Sequence, residues 1–163
     1  MVAVSDTSVV SNLALIGRLH LLRSQFQTVW IPEAVSAELN QIPSAEGELL
    51  IAQAFKDGWL RRRTVANVRM AAALANDIDQ GEAEAIALAT EIAADVLLID
   101  EKEGRASARQ AGLSVRGVLG ILIRAKALGE VASVKAEIHS LRSVAGFFVS
   151  PSLEAEIIRR AGE

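Results

Sequence analysis

Cysteine is absent from this chain of 163 residues, histidine occurs twice and proline three times. The lack of cysteine excludes disulfides, thiolate metal sites and a cysteine nucleophile together, and it fits a reducing cytoplasm, the expected location. No apolar run is long enough to span a membrane, and no basic region precedes an apolar stretch at the N-terminus, so no membrane is expected as a partner. Positive charge is not in excess: the net charge is −3. Nucleic acid is therefore not drawn to the molecule as a whole, and any contact with it must use local basic patches. Linkers rich in Gly, Ser or Pro, internal repeats and long charge blocks are missing too, so the chain reads as one domain over 1–163. Several chemistries fail for want of parts. There is no Gly-x-x-x-x-Gly-Lys-Ser/Thr loop, no Gly-x-Gly-x-x-Gly after a strand and no Gly-x-Ser-x-Gly elbow. Asp6-Thr7-Ser8 lacks the second Asp that an aspartyl-phosphate phosphatase wants two residues on.

What is present is apolar. Hydrophobic residues make up 51% of the chain, which argues against disorder, and many are alanine, which favours helices and close helix–sheet packing. The organising stretch is Leu97-Leu98-Ile99-Asp100-Glu101-Lys102. A short apolar run stops abruptly at an acidic pair, with a long Ala-rich segment (81–94) before it and a helical pattern (104–111) after it. Helix, buried strand, helix is the signature of a parallel sheet covered on both faces. The N-terminus repeats the arrangement: Val2-Ala3-Val4-Ser5, then Asp6, then a helical pattern.

Along the chain, strands are expected at 2–5, 28–31, 59–65, 95–99 and 114–116. The third carries Arg61-Arg62-Arg63 and so belongs at an edge, or is a loop. Helices are expected from Thr7 to Gly17, over 19–23, from Pro32 to about Gln41, over 43–57, 70–74, 81–94, 104–111, 118–128 and 133–144, and from Pro151 to about Ala161. The alternation predicts a three-layer α/β/α sandwich with a mainly parallel central sheet of four or five strands.

In such a sheet the strand ends and the starts of neighbouring helices share one edge, where chemistry collects. Asp6 and Asp100 end strands, Glu82 lies in the first turn of the Ala-rich helix, and Glu38 lies in the second turn of the helix after the second strand. All four can meet at that edge. Each also has a plain structural reading. Asp6 and Asp100 can cap the helices that follow them. Asp79 and Glu82 fit a capping box. Glu38 can be an exposed helix residue, and Glu101 and Glu103 first-turn charges favoured by the helix dipole. Glu82 is preferred to Glu84 because Glu84 shares its face with Glu91, the side expected to meet solvent. Carboxylates gathered this closely cannot all ionise unaided, and a divalent cation removes the conflict. All-oxygen ligands suit Mg²⁺ or Mn²⁺ rather than zinc. His20 and His139 both lie in helical segments away from the acids, so a water activated by a cation is the more economical nucleophile.

These motifs resemble a known family. Val4-Ser5-Asp6-Thr7-Ser8-Val9-Val10-Ser11-Asn12-Leu13 is similar to the opening of PIN domains, the VapC-like toxin ribonucleases. Ile31-Pro32-Glu33-Ala34-Val35-Ser36-Ala37-Glu38-Leu39 resembles their second motif, and Gly81-Glu82-Ala83-Glu84-Ala85-Ile86-Ala87-Leu88-Ala89 their third. Leu98-Ile99-Asp100-Glu101-Lys102-Glu103-Gly104-Arg105, continuing into Gly117-Val118-Leu119-Gly120-Ile121-Leu122, resembles the fourth and a prokaryotic PIN-like branch. The resemblance implies that Asp6, Glu38, Glu82 and Asp100 bind Mg²⁺ or Mn²⁺ for hydrolysis of RNA phosphodiester bonds. It also implies a small antitoxin protein and a second copy of the chain as partners. The chain departs from the pattern in two places. Many VapC-like proteins have Asp where this one has Glu82 or Glu84, and many have a second acid where this one has Lys102.

Cleaving RNA needs cations near the phosphates. Arg105 and Arg109 share a face of the helix after Asp100, and Arg105 is expected to meet a phosphate or a carboxylate, with an ion pair to Glu101 or a solvated face as the alternative. Thr7 and Ser8 are expected to start the helix, or else to orient Asp6 or a metal-bound water, with Ser8 also a candidate for binding the substrate. The rival to a metal-dependent endoribonuclease is a non-catalytic α/β protein-interaction or regulatory module. A receiver-like domain, which also gathers acids at strand ends, wants a Lys at a later strand end, where this chain has Arg116-Gly117.

Overall fold

A computed structural model describes residues 1–163. Five strands, β1 (Val2–Ser5), β2 (Thr28–Ile31), β3 (Leu60–Arg62), β4 (Val96–Leu98) and β5 (Val115–Arg116), form one parallel sheet in the order β3-β2-β1-β4-β5. Ten helices cover it: α1 (Thr7–Leu15), α2 (His20–Gln25), α3 (Glu33–Leu39), α4 (Ala45–Lys56), α5 (Val68–Leu74), α6 (Gln80–Glu91), α7 (Lys102–Gln110), α8 (Val118–Ala127), α9 (Val134–Ala145) and α10 (Pro151–Arg160). This is the α/β/α sandwich that the alternation predicts. None of these helices is long and apolar enough to cross a membrane.

The strands alternate between two cores, as a period of two requires. Ala3, Val29, Ile31, Val96 and Leu98 face the larger core, built with α1, α2, α4, α8, α9 and α10. Val4, Leu97 and Ile99 face the smaller one, where the alanines of α6 let that helix lie close to the sheet with α5 and α7 beside it. Both faces of β1 and β4 are buried, which is why these strands read as unbroken apolar runs. Val134, Ile138 and Leu141 are fully buried core. Beside them Glu137 accepts from Arg18 at 2.8 Å, tying α9 to the end of α1.

The expected third strand, 59–65, shrinks to three residues at the sheet edge. Its arginines are spoken for locally: Arg62 pairs with Glu33 at 3.4 Å, while Arg61 and Arg63 lie over the Trp30 ring at 5.8 and 5.9 Å. The segment 146–149 has no regular structure and leaves Phe148 85% exposed. The helix after Asp100 begins at Lys102, not Gly104. The Ala-rich helix stops at Glu91 rather than Ala94, because Ala93 turns left-handed at φ 50°. The Ala94 amide can then close on the Ala89 carbonyl at 3.0 Å. A side chain in that conformation costs energy that glycine does not. Ala93→Gly is therefore expected to stabilise the protein by about 1 kcal/mol in chemical denaturation, an exposed change that touches no core residue.

Candidate functional site

The strand order reverses between β1 and β4: β2 and β3 lie to one side of β1, β4 and β5 to the other. Chain leaving β1 and β4 diverges there, and a crevice opens beyond their carboxyl ends. Asp6 directly follows β1 and Asp100 stands two residues beyond β4. The two strands are pinned in register by Ser5 opposite Leu98 and by the Asp6 amide donating to the Leu98 carbonyl at 2.9 Å.

Asp6 is 2% exposed. It does cap α1, accepting from the Val9 amide at 3.2 Å, and both its oxygens accept from the Ser8 hydroxyl, at 3.1 and 2.9 Å. Asp100 does not cap the helix that follows it. The N-cap of α7 is Glu101, which makes no side-chain cap bond. Instead Asp100 Oδ1 reaches across the sheet end to accept from the Val118 amide, at the start of α8, at 2.9 Å. Its Oδ2 is buried with no hydrogen-bond partner. A buried carboxylate oxygen left without a donor is costly, which makes Asp100 Oδ2 an atom with an acceptor site to spare.

Glu82 is 7% exposed, whereas Glu38 is exposed at the rim and accepts from the Thr7 hydroxyl at 2.7 Å. Glu84 points elsewhere, accepting from the Ala34 amide and from Gln80 at 3.4 and 3.1 Å. Of the two glutamates it is thus Glu82 that lines the acidic hollow. The capping box is half made: Asp79 accepts from the Glu82 amide at 2.9 Å, but the Glu82 side chain turns away towards Gly104. Three of the four carboxylates lie over glycines. A Cβ on Gly81 would stand 2.6 Å from Glu38 Oε1, one on Gly104 2.9 Å from Glu82 Oε2, and one on Gly117 2.5 Å from Asp100 Oδ1.

Burial sets the electrostatics. Loss of water lifts Asp6 to about 8, with the Asp100 charge adding to the effect and the Val9 amide and Ser8 opposing it. Burial, then Asp79, lifts Glu82 to about 7. Burial lifts Asp100 to about 6 against the Val118 amide and the nearby Arg105.

The four predicted acids share this edge of the sheet but do not form the close cage expected of them: no three stand near enough to hold one ion between them. Glu38 is drawn aside by Thr7, and Glu82 lies over Gly104. Asp6, Glu38 and Glu82 border a hollow of about 300 Å³ with no hydrophobic lining residue and no base, while Asp100 stands beside it and lines a separate groove. The hollow's ligand atoms are oxygens, Asp6 and Glu82 in it are desolvated, and Asp100 beside it has an Oδ2 without a hydrogen-bond partner. Those properties fit a hard divalent cation held by one or two carboxylates that keeps most of its water, the habit of Mg²⁺.

A family described as PIN domain matches residues 2–163. The chain belongs to the PIN domain family. PIN domains are typically nucleases, and those nucleases generally use divalent metals. A search of the curated proteins finds no match.

Arg105 of this PIN domain does not enter the acidic hollow. Its Nη1 donates to the Ile99 carbonyl at 2.9 Å, beside Asp100, on the side facing a second, larger groove. It makes no ion pair with Glu101. Ser8 spends its hydroxyl on Asp6 but still borders the hollow. Sequence reasoning passed over Glu101, Ser11 and Asn12, which also line it. Ser8, Ser11 and Asn12 stand at i, i+3 and i+4 on α1, a polar stripe on a helix otherwise turned to the core. That spacing was the available signal. The exposed Lys102 adds no second acid.

Proposed function

We propose that this PIN domain is a metal-dependent endoribonuclease that hydrolyses RNA phosphodiester bonds with Mg²⁺ or Mn²⁺. The observation that carries the reading is the pair Asp6 and Asp100 at the switch point of a parallel sheet, with a buried Asp100 oxygen lacking any donor. Asp6 and Asp100 hold the ion in this reading, Ser8 fixes the rotamer of Asp6, and Glu38 and Glu82 stand around it. Bound there, the cation supplies Lewis-acid chemistry: a more acidic water and countercharge for the phosphate oxygens. Without the ion, burial and Asp79 lift Glu82 to about 7, and a cation bound nearby would favour its ionised form.

The resemblance of four motifs in order supports the narrower proposal that the protein is the toxin of a toxin–antitoxin pair, partnered by a small antitoxin protein and by a second copy of itself. The enzymatic proposal is tested by titrating Mn²⁺ against labelled RNA with the purified protein and its Asp6→Asn and Asp100→Asn variants. Metal-stimulated cleavage is expected, and both variants are expected to lose it by about two orders of magnitude or more. No cleavage at any Mn²⁺ concentration, with a melting temperature indifferent to metal, would instead mark a non-catalytic interaction module.

A further inference from the structure

On the other side of Asp100 lies a groove of about 710 Å³ between β5, α8, the 146–149 segment and α10. Its charged lining residues are Asp100 at the inner end and four arginines: Arg105, Arg116, Arg124 and Arg160. None of the four makes an ion pair with a carboxylate, although the chain as a whole carries −3. Arg105 is anchored on the Ile99 carbonyl, and Arg116 lies over the Phe26 ring at 5.8 Å. Burial and the neighbouring Arg124 both disfavour the charge on Arg116, so these cations repel each other across the groove. Gly120 leaves room for the Arg116 stem, since a Cβ there would stand 2.8 Å from Arg116 Cγ. Phe147 and Phe148 form the outer wall, and Phe148 is almost wholly exposed.

Unpaired arginines beside an exposed aromatic ring are the two parts a single-stranded nucleic acid needs, one for its phosphates and one for an unstacked base. A duplex hides its bases and has no use for Phe148. The acidic hollow repels a polyanion, so a nuclease acting there must draw its substrate from beside it, and this groove is the unpaired basic surface that meets Asp100. The arginines of β3 stand at the far edge of the sheet and are already engaged with Glu33 and Trp30. We propose that single-stranded RNA runs away from Asp100 along this groove, its phosphates against Arg116, Arg124 and Arg160 and one base against Phe148. The assignment rests on the nuclease reading for its choice of RNA and on the groove's own chemistry for its place.

Binding of a fluorescein-labelled single-stranded RNA, followed by anisotropy in EDTA so that hydrolysis does not compete, tests it. Arg124→Ala and Arg160→Ala, both exposed and unbonded, are expected to fold normally and each to lower the slope of log K against log salt by ~0.7, the loss of one phosphate contact. Arg124→Lys should keep that slope. Phe148→Ala should weaken binding roughly 5- to 100-fold with the slope unchanged. Arg62→Ala, at the opposite edge, should bind as the parent does. Binding that is absent, or indifferent to the groove variants, overturns the assignment. So does a groove that takes polyglutamate as tightly as RNA with Phe148→Ala silent, because the site would then hold an acidic peptide. Cleavage is scored separately. A protein that binds RNA through these residues yet never cuts it strikes down the nuclease reading and leaves the groove assigned; one that cuts RNA with unchanged affinity in the groove variants does the reverse.

Discussion

The metal-free protein is expected to lose stability steadily as pH rises from about 4 to about 8, and Asp6→Asn is expected to remove the largest single share of that loss, roughly half. An aspartate raised from 3.8 to about 8 holds a proton in the folded state that the unfolded chain releases. Between those two values the native state binds more protons, so the free energy of unfolding falls with increasing pH and levels off above about 8. The size is on the order of 5 kcal/mol for Asp6 alone, at ~1.4 kcal/mol per unit of pKa. Glu82, raised from 4.5 to about 7, and Asp100, raised from 3.8 to about 6, act with the same sign over narrower windows. Asparagine keeps the cap, because its Oδ1 can still accept from the Val9 amide, and it carries no charge to desolvate. The variant should therefore match the parent near pH 4 and melt well above it at pH 8 to 9, while cleaving no RNA. Such a site is held at the expense of stability, as functional sites often are.

Mn²⁺ should reverse the trend. The cation favours the ionised carboxylates, so its stabilising effect on the parent should grow with pH across the same window and be small in Asp6→Asn. Thermal melts at a series of pH values, with and without Mn²⁺, read both effects. A parent whose melting temperature stays flat from pH 5 to 8, or an Asp6→Asn protein that follows the parent's decline, would show that Asp6 is not the strained acid described above.

The two strands that carry Asp6 and Asp100 were legible because burial on both faces forces an unbroken apolar run, and a run that stops on an acid announces a strand end. β3 was legible as an edge for a similar reason, since three adjacent arginines cannot be central. Its length was not legible: Arg63 to Val65 keep a strand-like composition, but only Leu60 to Arg62 have a partner to pair with. The place of Glu82 rather than Glu84 in the hollow followed from helix geometry, because two residues of separation turn a side chain by more than half a circle. What the sequence hid is what arises only when distant segments meet. The capping of α8 by Asp100 spans eighteen residues. The arginine groove takes one residue each from α7, β5, α8 and α10, and no window along the chain contains them. The expected cage of four carboxylates had Thr7 serving Asp6 or a water, whereas its hydroxyl holds Glu38 at the rim, a contact across thirty-one residues.

The glycines over which the carboxylates lie were also silent in the sequence, and one of them yields the sharpest structural test. Gly117 has φ −98° and ψ 178°, an extended conformation open to any L-residue, so its backbone alone tolerates alanine. The obstacle is the space: the new Cβ would stand 2.5 Å from Asp100 Oδ1 and 3.0 Å from Arg105 Nη1. Neither atom is the loose end of a free side chain. Asp100 is held by the Val118 amide and Arg105 by the Ile99 carbonyl. Gly117→Ala must push the Asp100 carboxylate off the start of α8 or shift the helix, and overpacking of this kind costs about 1–3 kcal/mol. Misplacing a reacting group by about 1 Å can cost ~100-fold in rate, so cleavage should fall by about that factor in a protein that still folds. Gly112→Ala serves as the contrast. Nothing lies within 4 Å of its Cβ, but its φ of +81° strains any side chain, so it should lose stability while the folded fraction keeps its rate. If Gly117→Ala cleaved as fast as the parent at equal folded concentration, Asp100 would not need the position it holds beyond β4, and its place at the centre of the site would be lost.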